Sequence, residues 1–303
     1  MRLLVRDLGS LRREKGAILR TQTIADEQIL IEFLESKARR IRWDIIKMIG
    51  LARSGHPGGS LSAADIVATL YFHELRHKAE EPDWPERDRF VLSKGHAAPV
   101  LYAALAESGY IDREDLWTLR KIDSHLQGHP DMRKTPGVEL STGSLGMGFS
   151  ASVGMALGLK IDRKESRVYV LLGDGESQEG IVWEASMFAS QHGLDNLVGI
   201  LDYNNMQIDG LVSEIVDIQP AAAKWTAFGW HVIEIDGHKF DEIMGAFKEA
   251  RSVKSKPSMI IAKTVKGKGV SFMEGIVDFH GKAPSAEEME KALAEIEASG
   301  PLG

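Results

Sequence analysis

The sequence contains no cysteine, which excludes disulfide bonds, thiolate metal sites and cysteine nucleophiles. It also lacks any apolar run approaching the roughly 18 residues of a membrane-spanning helix, so no contact with a membrane is expected. The formal charge of −7 comes from interspersed acids and bases. Without a basic stripe, the chain is not expected to bind nucleic acid. We expect a cytoplasmic protein, with which the lack of cysteine is compatible.

The length and composition are enough for a buried core. The chain has 303 residues, 43% of them hydrophobic, which allows one or two domains. The first residues are rich in arginine, but Asp7 and Glu14 and the lack of a compact apolar region argue against a targeting peptide. We therefore predict a variable extension over residues 1–25 and, since no linker or repeat divides the rest, a single α/β domain over residues 26–303.

Two short motifs follow two apolar runs. Gly173-Asp174-Gly175 comes after the run at 168–172, and Asn204-Asn205 comes thirty residues after Asp174, behind the run at 197–201. Both runs are short and rich in β-branched residues, as is typical of strands buried on both faces. Parallel sheets bind ligands at the carboxyl ends of their strands, so the two motifs are predicted to meet at one crevice.

The residue types in this crevice suit a hard cation beside a phosphate. The carboxylate of Asp174, the amide oxygen of Asn204 and the backbone carbonyl of Met206 are predicted to bind Mg²⁺, with phosphate oxygens and water as the remaining ligands. Gly173 and Gly175 allow the backbone to approach a phosphate closely. Either motif alone is usually a turn or a loop, whereas the combination is more specific.

Periodicity and turn residues predict the remaining elements. Ser62 is expected to cap a helix from Ala63 to Glu74, and a glycine loop precedes a helix over 146–159 whose first N–H groups are free to bind an anion. Further helices are predicted over 26–51, from about Glu179 to about His192, and over 286–299. Strands are predicted at 90–92, 230–235 and 258–261. The last helix is expected to serve packing or a subunit contact. The fold predicted is α/β, a mostly parallel sheet of about five strands with helices on both faces.

The unit from Gly173 to Asn205 resembles the thiamine diphosphate motif of transketolase-like enzymes. Further segments resemble transketolase blocks in the same chain order, from about residue 38 to about residue 284. They are Ser54-Gly55-His56-Pro57-Gly58-Gly59-Ser60, the block at 89–99, Gly128-His129-Pro130, Ser141 to Gly148, Ile208-Asp209-Gly210, Asp236-Gly237-His238, Lys263-Thr264, Gly267-Lys268-Gly269 and Phe279-His280-Gly281. The chain is thus similar to the N-terminal, thiamine diphosphate-binding section of transketolase, and the thiamine diphosphate-binding fold is implied.

This resemblance implies roles for four histidines, whose usual pKa suits proton transfer near neutral pH. His56 and His280 would flank the thiazolium ring of the cofactor and the substrate carbonyl. His96 would contact the diphosphate region, and His129 would bind hydroxyls at the two-carbon end of the donor sugar. All four are predicted to be catalytic. No role is derived for His238.

The resemblance also implies the cofactors, thiamine diphosphate and Mg²⁺, for which Ca²⁺ or Mn²⁺ would substitute. Glu179 and Glu184 would lie near a subunit boundary and link cofactor sites, although a solvated helix face remains an alternative for Glu184. The cofactor-binding residues predicted are His56, His96, Gly143, Ser144, Leu145, Gly173, Asp174, Gly175, Glu179, Glu184, Asn204, Met206, Ile208 and His280.

Only the first of the three transketolase sections is present. The activating glutamate for the cofactor's aminopyrimidine and most groups that hold a sugar phosphate belong to the section that is missing. The resemblance therefore implies a split transketolase that transfers a two-carbon ketol unit between sugar phosphates, together with a separate pyrimidine-binding subunit in an α2β2 heterotetramer. Tyr203 and Asn205 depart from the common pattern, which weakens assignment to a subfamily.

Several alternatives stay open. A deoxyxylulose-phosphate synthase-like enzyme and a 2-oxoacid dehydrogenase component are disfavoured by the blocks around His56, His96 and His129 taken together. A transketolase for an unusual sugar or a sulfo-sugar remains open. From a different class, the chain is also compatible with a non-catalytic cofactor-binding module.

Overall fold

The structure is a computed structural model that describes residues 24–303. The predicted variable extension, apart from its last two residues, lies outside the described residues. The α-helices, in chain order, are α1 (Ile24–Ala52), α2 (Pro57–Ser62), α3 (Ala64–Thr69), α4 (Ala98–Glu107), α5 (Met147–Ile161), α6 (Gly180–Gln191), α7 (Val212–Ile215), α8 (Ala221–Ala227), α9 (Phe240–Ser252) and α10 (Ala286–Ala298). Short 3₁₀ segments lie at Gly95–Ala97, Arg113–Thr118, Glu176–Gln178 and Val277–His280, and a π-helical turn lies at Leu70–Glu74.

A five-stranded parallel sheet forms the centre of the molecule. Its strands are β1 (Arg89–Leu92), β2 (Val168–Gly173), β3 (Leu197–Tyr203), β6 (His231–Asp236) and β7 (Ser258–Lys263), arranged in the order β1-β2-β3-β7-β6. The short antiparallel pair β4 (Met206–Gln207) and β5 (Gly210–Leu211) follows β3. The predicted parallel sheet of about five strands is confirmed.

Helices cover both faces of this sheet, and the strand side chains alternate between them. Along β2, Val168, Val170 and Leu172 pack with α5, α6 and α8, while Tyr169 and Leu171 pack with α1, α4 and α9 on the other face. A strand buried on both faces has no solvent side, so it reads as a continuous apolar run rather than as an alternation. This burial explains why such runs predicted the central strands.

The long helix α1 and the last helix α10 pack together. The helix predicted over 26–51 is confirmed, and Leu34, Ile41 and Ile45 on its inner side are fully buried. α10 begins with a capping box in which Ser285 and Glu288 satisfy each other's backbone N–H groups. Its buried Leu293 joins the core around α1, so part of α10 serves internal packing.

The prediction that Ser62 caps the start of a helix from Ala63 to Glu74 is wrong. Ser62 is the last residue of α2, and α3 has no side-chain cap. The hydroxyl of Ser62 donates its proton instead to Asp202 Oδ2 at 2.6 Å, and the backbone oxygen of Gly59 lies farther away at 3.2 Å. A buried carboxylate accepts a stronger hydrogen bond than a helix end offers, and this partner is distant in sequence.

In the part of the chain that the structure covers, no helix has both the length and the apolar content to cross a lipid bilayer.

Candidate active site

The five parallel strands end at one edge of the sheet, and polar side chains follow each of them. Lys94 and His96 follow β1, Asp174 follows β2, Asn204 follows β3, His238 follows β6 and Lys266 follows β7. Parallel strands necessarily bring their carboxyl ends together, which is where open α/β sheets bind ligands. The candidate site lies at this edge.

The two predicted motifs meet directly. Asp174 is 2% exposed, and its Oδ2 accepts a hydrogen bond of 2.5 Å from the backbone N–H of Asn205. Its Oδ1 accepts from the N–H of Gly175 at 2.8 Å. Burial, followed by the nearby carboxylate of Asp202, raises the pKa of Asp174 to about 6. A cation beside this carboxylate would offset the cost of burying its charge.

Asn204 and Met206 form a tight turn behind this carboxylate. The amide oxygen of Asn204 accepts from the backbone N–H of Met206 at 3.1 Å, which fixes the orientation of the Asn204 amide. Gly175 lies against the same turn, since a Cβ on it would be 3.1 Å from the side chain of Gln207. The structure therefore brings together all three predicted metal ligands and one of the two predicted phosphate-approach glycines.

Lys266 was not predicted from the sequence. Its ammonium donates to the carbonyl of Met206 at 3.0 Å and lies 2.7 Å from His280 Nδ1. The residue is 3% exposed, and burial lowers its pKa to about 8, while Asp174 acts in the opposite direction. The sequence does contain a signal, because Lys266 belongs to a lysine- and glycine-rich loop directly after an apolar strand.

Three of the four predicted histidines form one cluster. The ring centroids of His56 and His96 are 5.2 Å apart, those of His96 and His280 are 5.2 Å apart, and those of His56 and His280 are 5.7 Å apart. They come from the loop before α2 and from the 3₁₀ segments Gly95–Ala97 and Val277–His280, so the cluster exists only in the folded chain.

These histidines are held in the neutral state. Burial, followed by the charge of Arg120, lowers the pKa of His56 to about 4. Burial and Lys266 lower the pKa of His280 to about 3, and burial and Lys94 hold the pKa of His96 well below its usual value. At neutral pH each ring therefore offers one donor and one acceptor nitrogen. Lys266 donates to His280 Nδ1, so the proton of His280 is on Nε2.

His129 lies next to this cluster. A Cβ on Gly143 would be 3.0 Å from the His129 ring, so the predicted residues Gly143 and His129 are in direct contact. Burial and then Arg120 lower the pKa of His129. Arg120 itself donates to Ser54 Oγ at 3.0 Å and lies 3.5 Å from His56 Nδ1. It is a second cation at the site that the sequence did not single out.

A buried ion pair lies beneath the cluster. Lys94 contacts the carboxylate of Asp202 and donates to the Gly59 carbonyl at 2.7 Å. Burial opposes the charge of Asp202, but Lys94 and the hydroxyls of Ser62 and Thr264 hold its pKa below the usual value. This pair joins the end of β1 to the end of β3. The sequence feature that could have identified this ion pair is a charged residue at or just after the end of each of these two apolar strands.

Glu176 connects the glycine loop to the Asp174 turn. Its carboxylate accepts from the Gly146 N–H at 2.8 Å, from the Gly173 N–H at 3.1 Å and from the Ser93 hydroxyl. Gly146 precedes α5 with a left-handed backbone at φ 80°, and a Cβ there would lie 2.5 Å from Ile181. Glu176 thereby holds the start of α5 at the same edge. The sequence did not identify it.

The remaining predicted cofactor residues lie at the surface of this chain. Ser144, Glu179, Glu184 and Ile208 are exposed and Leu145 is half-buried. Glu179 precedes α6 and Glu184 lies on its exposed side. Ile208 lies in the turn between β4 and β5. Their predicted contacts with a cofactor or a subunit boundary stay predictions.

The donor set suits a divalent cation bound together with phosphate. Within residues 24–303, no group of three or more His, Cys, Asp or Glu side chains is arranged to hold a metal ion. The predicted set is different in kind, with one carboxylate, one amide oxygen and one backbone carbonyl. Three such protein oxygens leave coordination positions for phosphate oxygens and water, which is how Mg²⁺ is commonly bound beside a nucleotide or diphosphate.

The chain is similar to a known protein family over most of its length. The family model described as transketolase, thiamine diphosphate binding domain, matches residues 34–297. The 6-deoxy-6-sulfo-D-fructose transketolase subunit SqwG of Clostridium sp. (strain MSTE9) is 49% identical over 88% of this chain and 97% of that protein. An apulose-4-phosphate transketolase subunit of Phocaeicola vulgatus is 42% identical over 88% of this chain and 94% of that protein.

Longer proteins match over part of their length. Human transketolase is 46% identical over 89% of this chain, which covers 43% of the human protein. The crystal structure of transketolase from Campylobacter jejuni superposes with a TM-score of 0.84 at 38% identity, over 88% of this chain and 43% of that one. The chain therefore belongs to the transketolase family and corresponds to the thiamine diphosphate-binding, N-terminal section of its longer members.

Proposed function

We propose that this chain is the thiamine diphosphate- and Mg²⁺-binding subunit of a two-subunit transketolase. Together with a pyrimidine-binding subunit, it would transfer a two-carbon ketol unit from a ketose phosphate to an aldose phosphate. The observation that carries the proposal is the convergence, at one edge of the sheet, of the Asp174 turn, the Asn204–Met206 turn and a cluster of three neutral histidines.

The division into two subunits rests on length. Two relatives that are named transketolase subunits match almost end to end, whereas the full-length enzymes match over 43% of their length. The complementary subunit would supply the glutamate that activates the cofactor's aminopyrimidine and most contacts to the sugar phosphate. Two copies of each subunit would form a heterotetramer, and we place the assembly in the cytoplasm. Residues 26–303 would form one diphosphate-binding domain, preceded by the variable extension.

For the metal we assign Asp174, Asn204 and the carbonyl of Met206. The first supplies negative charge and the other two supply neutral oxygens, which suits Mg²⁺ and would also accept Ca²⁺ or Mn²⁺. Gly173 and Gly175 leave room for the diphosphate. Lys266, whose ammonium already lies at the Met206 carbonyl, would add positive charge next to the same phosphate oxygens.

The other cofactor contacts are assigned to the loops at the same edge. Gly143, Ser144 and Leu145 would pass along the cofactor, with Leu145 packed against a ring, and Ile208 would approach it from the turn between β4 and β5. Glu179 and Glu184 would face the subunit boundary and link the two cofactor sites of the assembly. Their exposure in the single chain supports a role at a boundary that a second chain completes.

The histidines would move and hold protons around the reacting carbons. Bound thiamine diphosphate supplies the nucleophilic carbon and the electron sink for breaking and forming the carbon–carbon bond. His56 and His280 would bind the carbonyl oxygen of the donor sugar, with the Nε2 proton of His280 free to be donated. His96 would contact the diphosphate side, and His129 would hold the hydroxyls of the two-carbon end. Neutral rings suit binding of the substrate oxygens, since each ring offers one hydrogen-bond donor and one acceptor.

A narrower second candidate concerns the substrate. The SqwG relative at 49% identity is named for a sulfo-sugar and the Phocaeicola vulgatus relative for apulose 4-phosphate. A transketolase that takes a sulfonated or branched sugar is therefore a specific alternative to one that takes common sugar phosphates. A screen of donors and acceptors with the assembled enzyme would distinguish them by their kcat/KM values.

Reconstitution tests the proposal. The purified chain alone should show negligible ketol transfer, because part of the site belongs to the other subunit. Addition of the pyrimidine-binding transketolase subunit from the same genome, with thiamine diphosphate and Mg²⁺, should restore transfer, measured by coupled spectrophotometry. Full activity of the isolated chain would refute the two-subunit model. Absence of both cofactor binding and transfer in the mixture would refute the transketolase assignment.

A further inference from the structure

The loop after β7 is held on both sides of Lys266 by two side chains from elsewhere in the fold. The backbone N–H of Val265, one residue before Lys266, donates to His238 Nε2 at 2.8 Å. Two residues after Lys266, the carbonyl of Lys268 accepts from Arg42 Nε at 3.1 Å. His238 follows β6 and Arg42 lies on α1, so the two contacts come from different elements.

Both side chains bind the same buried carboxylate. Arg42 donates to Asp65 through two parallel hydrogen bonds of 2.7 and 2.6 Å, and His238 Nδ1 lies 2.8 Å from Asp65 Oδ2. Asp65 is 4% exposed. Burial would raise its pKa, but Arg42 and His238 together lower it to about 2. Asp65 is therefore ionised at neutral pH and orients both of its partners.

The hydrogen bonds also fix the tautomer of His238. A backbone N–H can only donate, so Nε2 is the acceptor of the bond from Val265. The proton is then on Nδ1, where it is donated to Asp65. This arrangement uses both ring nitrogens and requires a neutral ring. An ion pair with a protonated imidazole would leave the Val265 N–H without its acceptor.

We propose that Asp65, Arg42 and His238 form a bracket that fixes the backbone around Lys266 and so positions its ammonium for the diphosphate of the cofactor. The inference rests on the proposed function, because it assumes that Lys266 meets a diphosphate. The three residues are positioning residues, and they act through Lys266 rather than by touching the cofactor. The bracket also gives a role to the Asp236-Gly237-His238 block, for which none followed from the sequence.

Such a bracket matters because of the length of the lysine side chain. The Lys266 ammonium is four carbons from the backbone and must be near both Met206 and His280. A buried ammonium is costly unless its partners are in place. Fixing Val265 and Lys268 removes backbone freedom that would otherwise be lost when an anion binds, so the site is organised before the ligand arrives.

Two substitutions of His238 separate its two bonds. An asparagine places its amide near the position of Nδ1, so His238→Asn retains a donor to Asp65 but gives up the acceptor for Val265. A glutamine extends its amide to about the position of Nε2, so His238→Gln offers an acceptor to Val265. His231→Asn is the matched control, because His231 also pairs with a carboxylate, Glu249, but at the exposed opposite end of β6.

The first measurement needs no cofactor. Hydrogen exchange of the Val265 amide should accelerate about 10-fold or more in His238→Asn, because the N–H loses its protein acceptor, and should stay slow in His238→Gln and His231→Asn. In the unmodified chain, ¹⁵N chemical shifts of His238 should report a neutral ring protonated on Nδ1. Unchanged Val265 exchange in His238→Asn, or the opposite tautomer, would overturn the bracket itself.

The second measurement is calorimetric binding of Mg²⁺–thiamine diphosphate to the chain assembled with its complementary subunit. The affinity should fall about 10-fold in His238→Asn, as is typical when a positioning partner is lost, and should be restored in His238→Gln. Equal affinities for all variants, with Val265 exchange accelerated, would show that the bracket does not serve the cofactor. If the unmodified assembly binds no cofactor, the proposed function fails first, and the exchange data still report separately on the bracket.

Discussion

The most consequential single residue is Asp174, because it is the only carboxylate among the three proposed metal ligands. Its two backbone donors, Asn205 and Gly175, hold both of its oxygens in place. Its raised pKa shows that burial disfavours its charge in the absence of a cation. A metal ion beside it would supply the missing positive charge. Function and stability thus make opposite demands on this side chain, as is common at functional sites.

Asp174→Asn tests this assignment. We expect the Mg²⁺-dependent affinity for thiamine diphosphate to fall about 100-fold or more, since a charged ligand to a divalent ion is lost. The thermal midpoint of the free chain should change little, because a neutral amide is easier to bury but its NH2 group no longer accepts from one of the two backbone N–H donors. Titration calorimetry with and without Mg²⁺ measures the first effect, and calorimetric melting measures the second.

The control for that experiment is Asp209→Asn. Asp209 is exposed in the turn between β4 and β5, so it lies near the site but has no assigned contact with the metal. Its replacement should leave the affinity within about twofold, as expected for a surface change. Unchanged affinity in Asp174→Asn would count decisively against the metal assignment, whatever the control shows.

Among the elements, α1 carries a buried acid that has no assigned part in the chemistry. Asp44 is fully buried, and its Oδ2 lacks a hydrogen-bond partner within the described part of the chain. Arg113 approaches it at 3.1 Å but is partly exposed and shared with Glu107. Burial therefore outweighs the ion pair and raises the pKa of Asp44 to about 7.

The raised pKa of Asp44 predicts that the stability of the folded chain depends on pH. Between the unfolded pKa of 3.8 and the folded pKa of about 7, the folded chain binds a proton at Asp44 that the unfolded chain does not. The contribution of Asp44 to stability therefore rises as pH falls through this window, and at pH 8 its charge costs up to about 4 kcal/mol. Asp44→Asn should raise the thermal midpoint at pH 8 by more than at pH 5.

Differential scanning calorimetry at both pH values measures this difference. Asp162→Asn is the control, because Asp162 is exposed at the end of α5, and it should show the same small effect at both values. A larger stabilisation of Asp44→Asn at pH 5 than at pH 8 would show that the ion pair with Arg113 dominates instead.

At the scale of the whole molecule, α5 and α6 leave apolar side chains uncovered. Met147 and Ile161 on α5, and Met187 and Phe188 on α6, are each more than 40% exposed. Glu184 precedes Met187 and Phe188 by three and four residues, so it lies on the same side of α6. Large exposed apolar groups commonly mark interaction surfaces. This placement supports the proposed subunit boundary near Glu184.

Phe188→Glu tests whether this surface is used in assembly. A charge in a buried contact should weaken association about 30-fold or more, the cost of losing an interface residue worth about 2 kcal/mol. Sedimentation velocity of the chain with its complementary subunit measures the change. Ile29→Glu, at a comparably exposed apolar position on α1, should have no effect. Intact assembly of Phe188→Glu would place the boundary elsewhere.

The sequence by itself determined the sheet and the outline of the site. Strands buried on both faces are continuous apolar runs. For that reason β2 and β3 could be predicted from the sequence. The Asp174 and Asn204 motifs were predictable because parallel strands bring their carboxyl ends to one edge whatever lies between them. The resemblance to transketolase, carried by separate blocks along the chain, is confirmed by the family match over residues 34–297.

Only the tertiary structure decided which distant side chains share a charge or a hydrogen bond. Ser62 was expected to cap a helix, but its hydroxyl binds Asp202, 140 residues away. The lysine- and glycine-rich loop marks Lys266 as a candidate, but no local pattern indicates its contact with His280. Similarly, no residue near His238 in the sequence indicates that His238 binds both Asp65 and the loop beside Lys266. Local pattern reflects backbone geometry and burial, whereas the pairing of buried polar groups depends on which loops the packed sheet brings together.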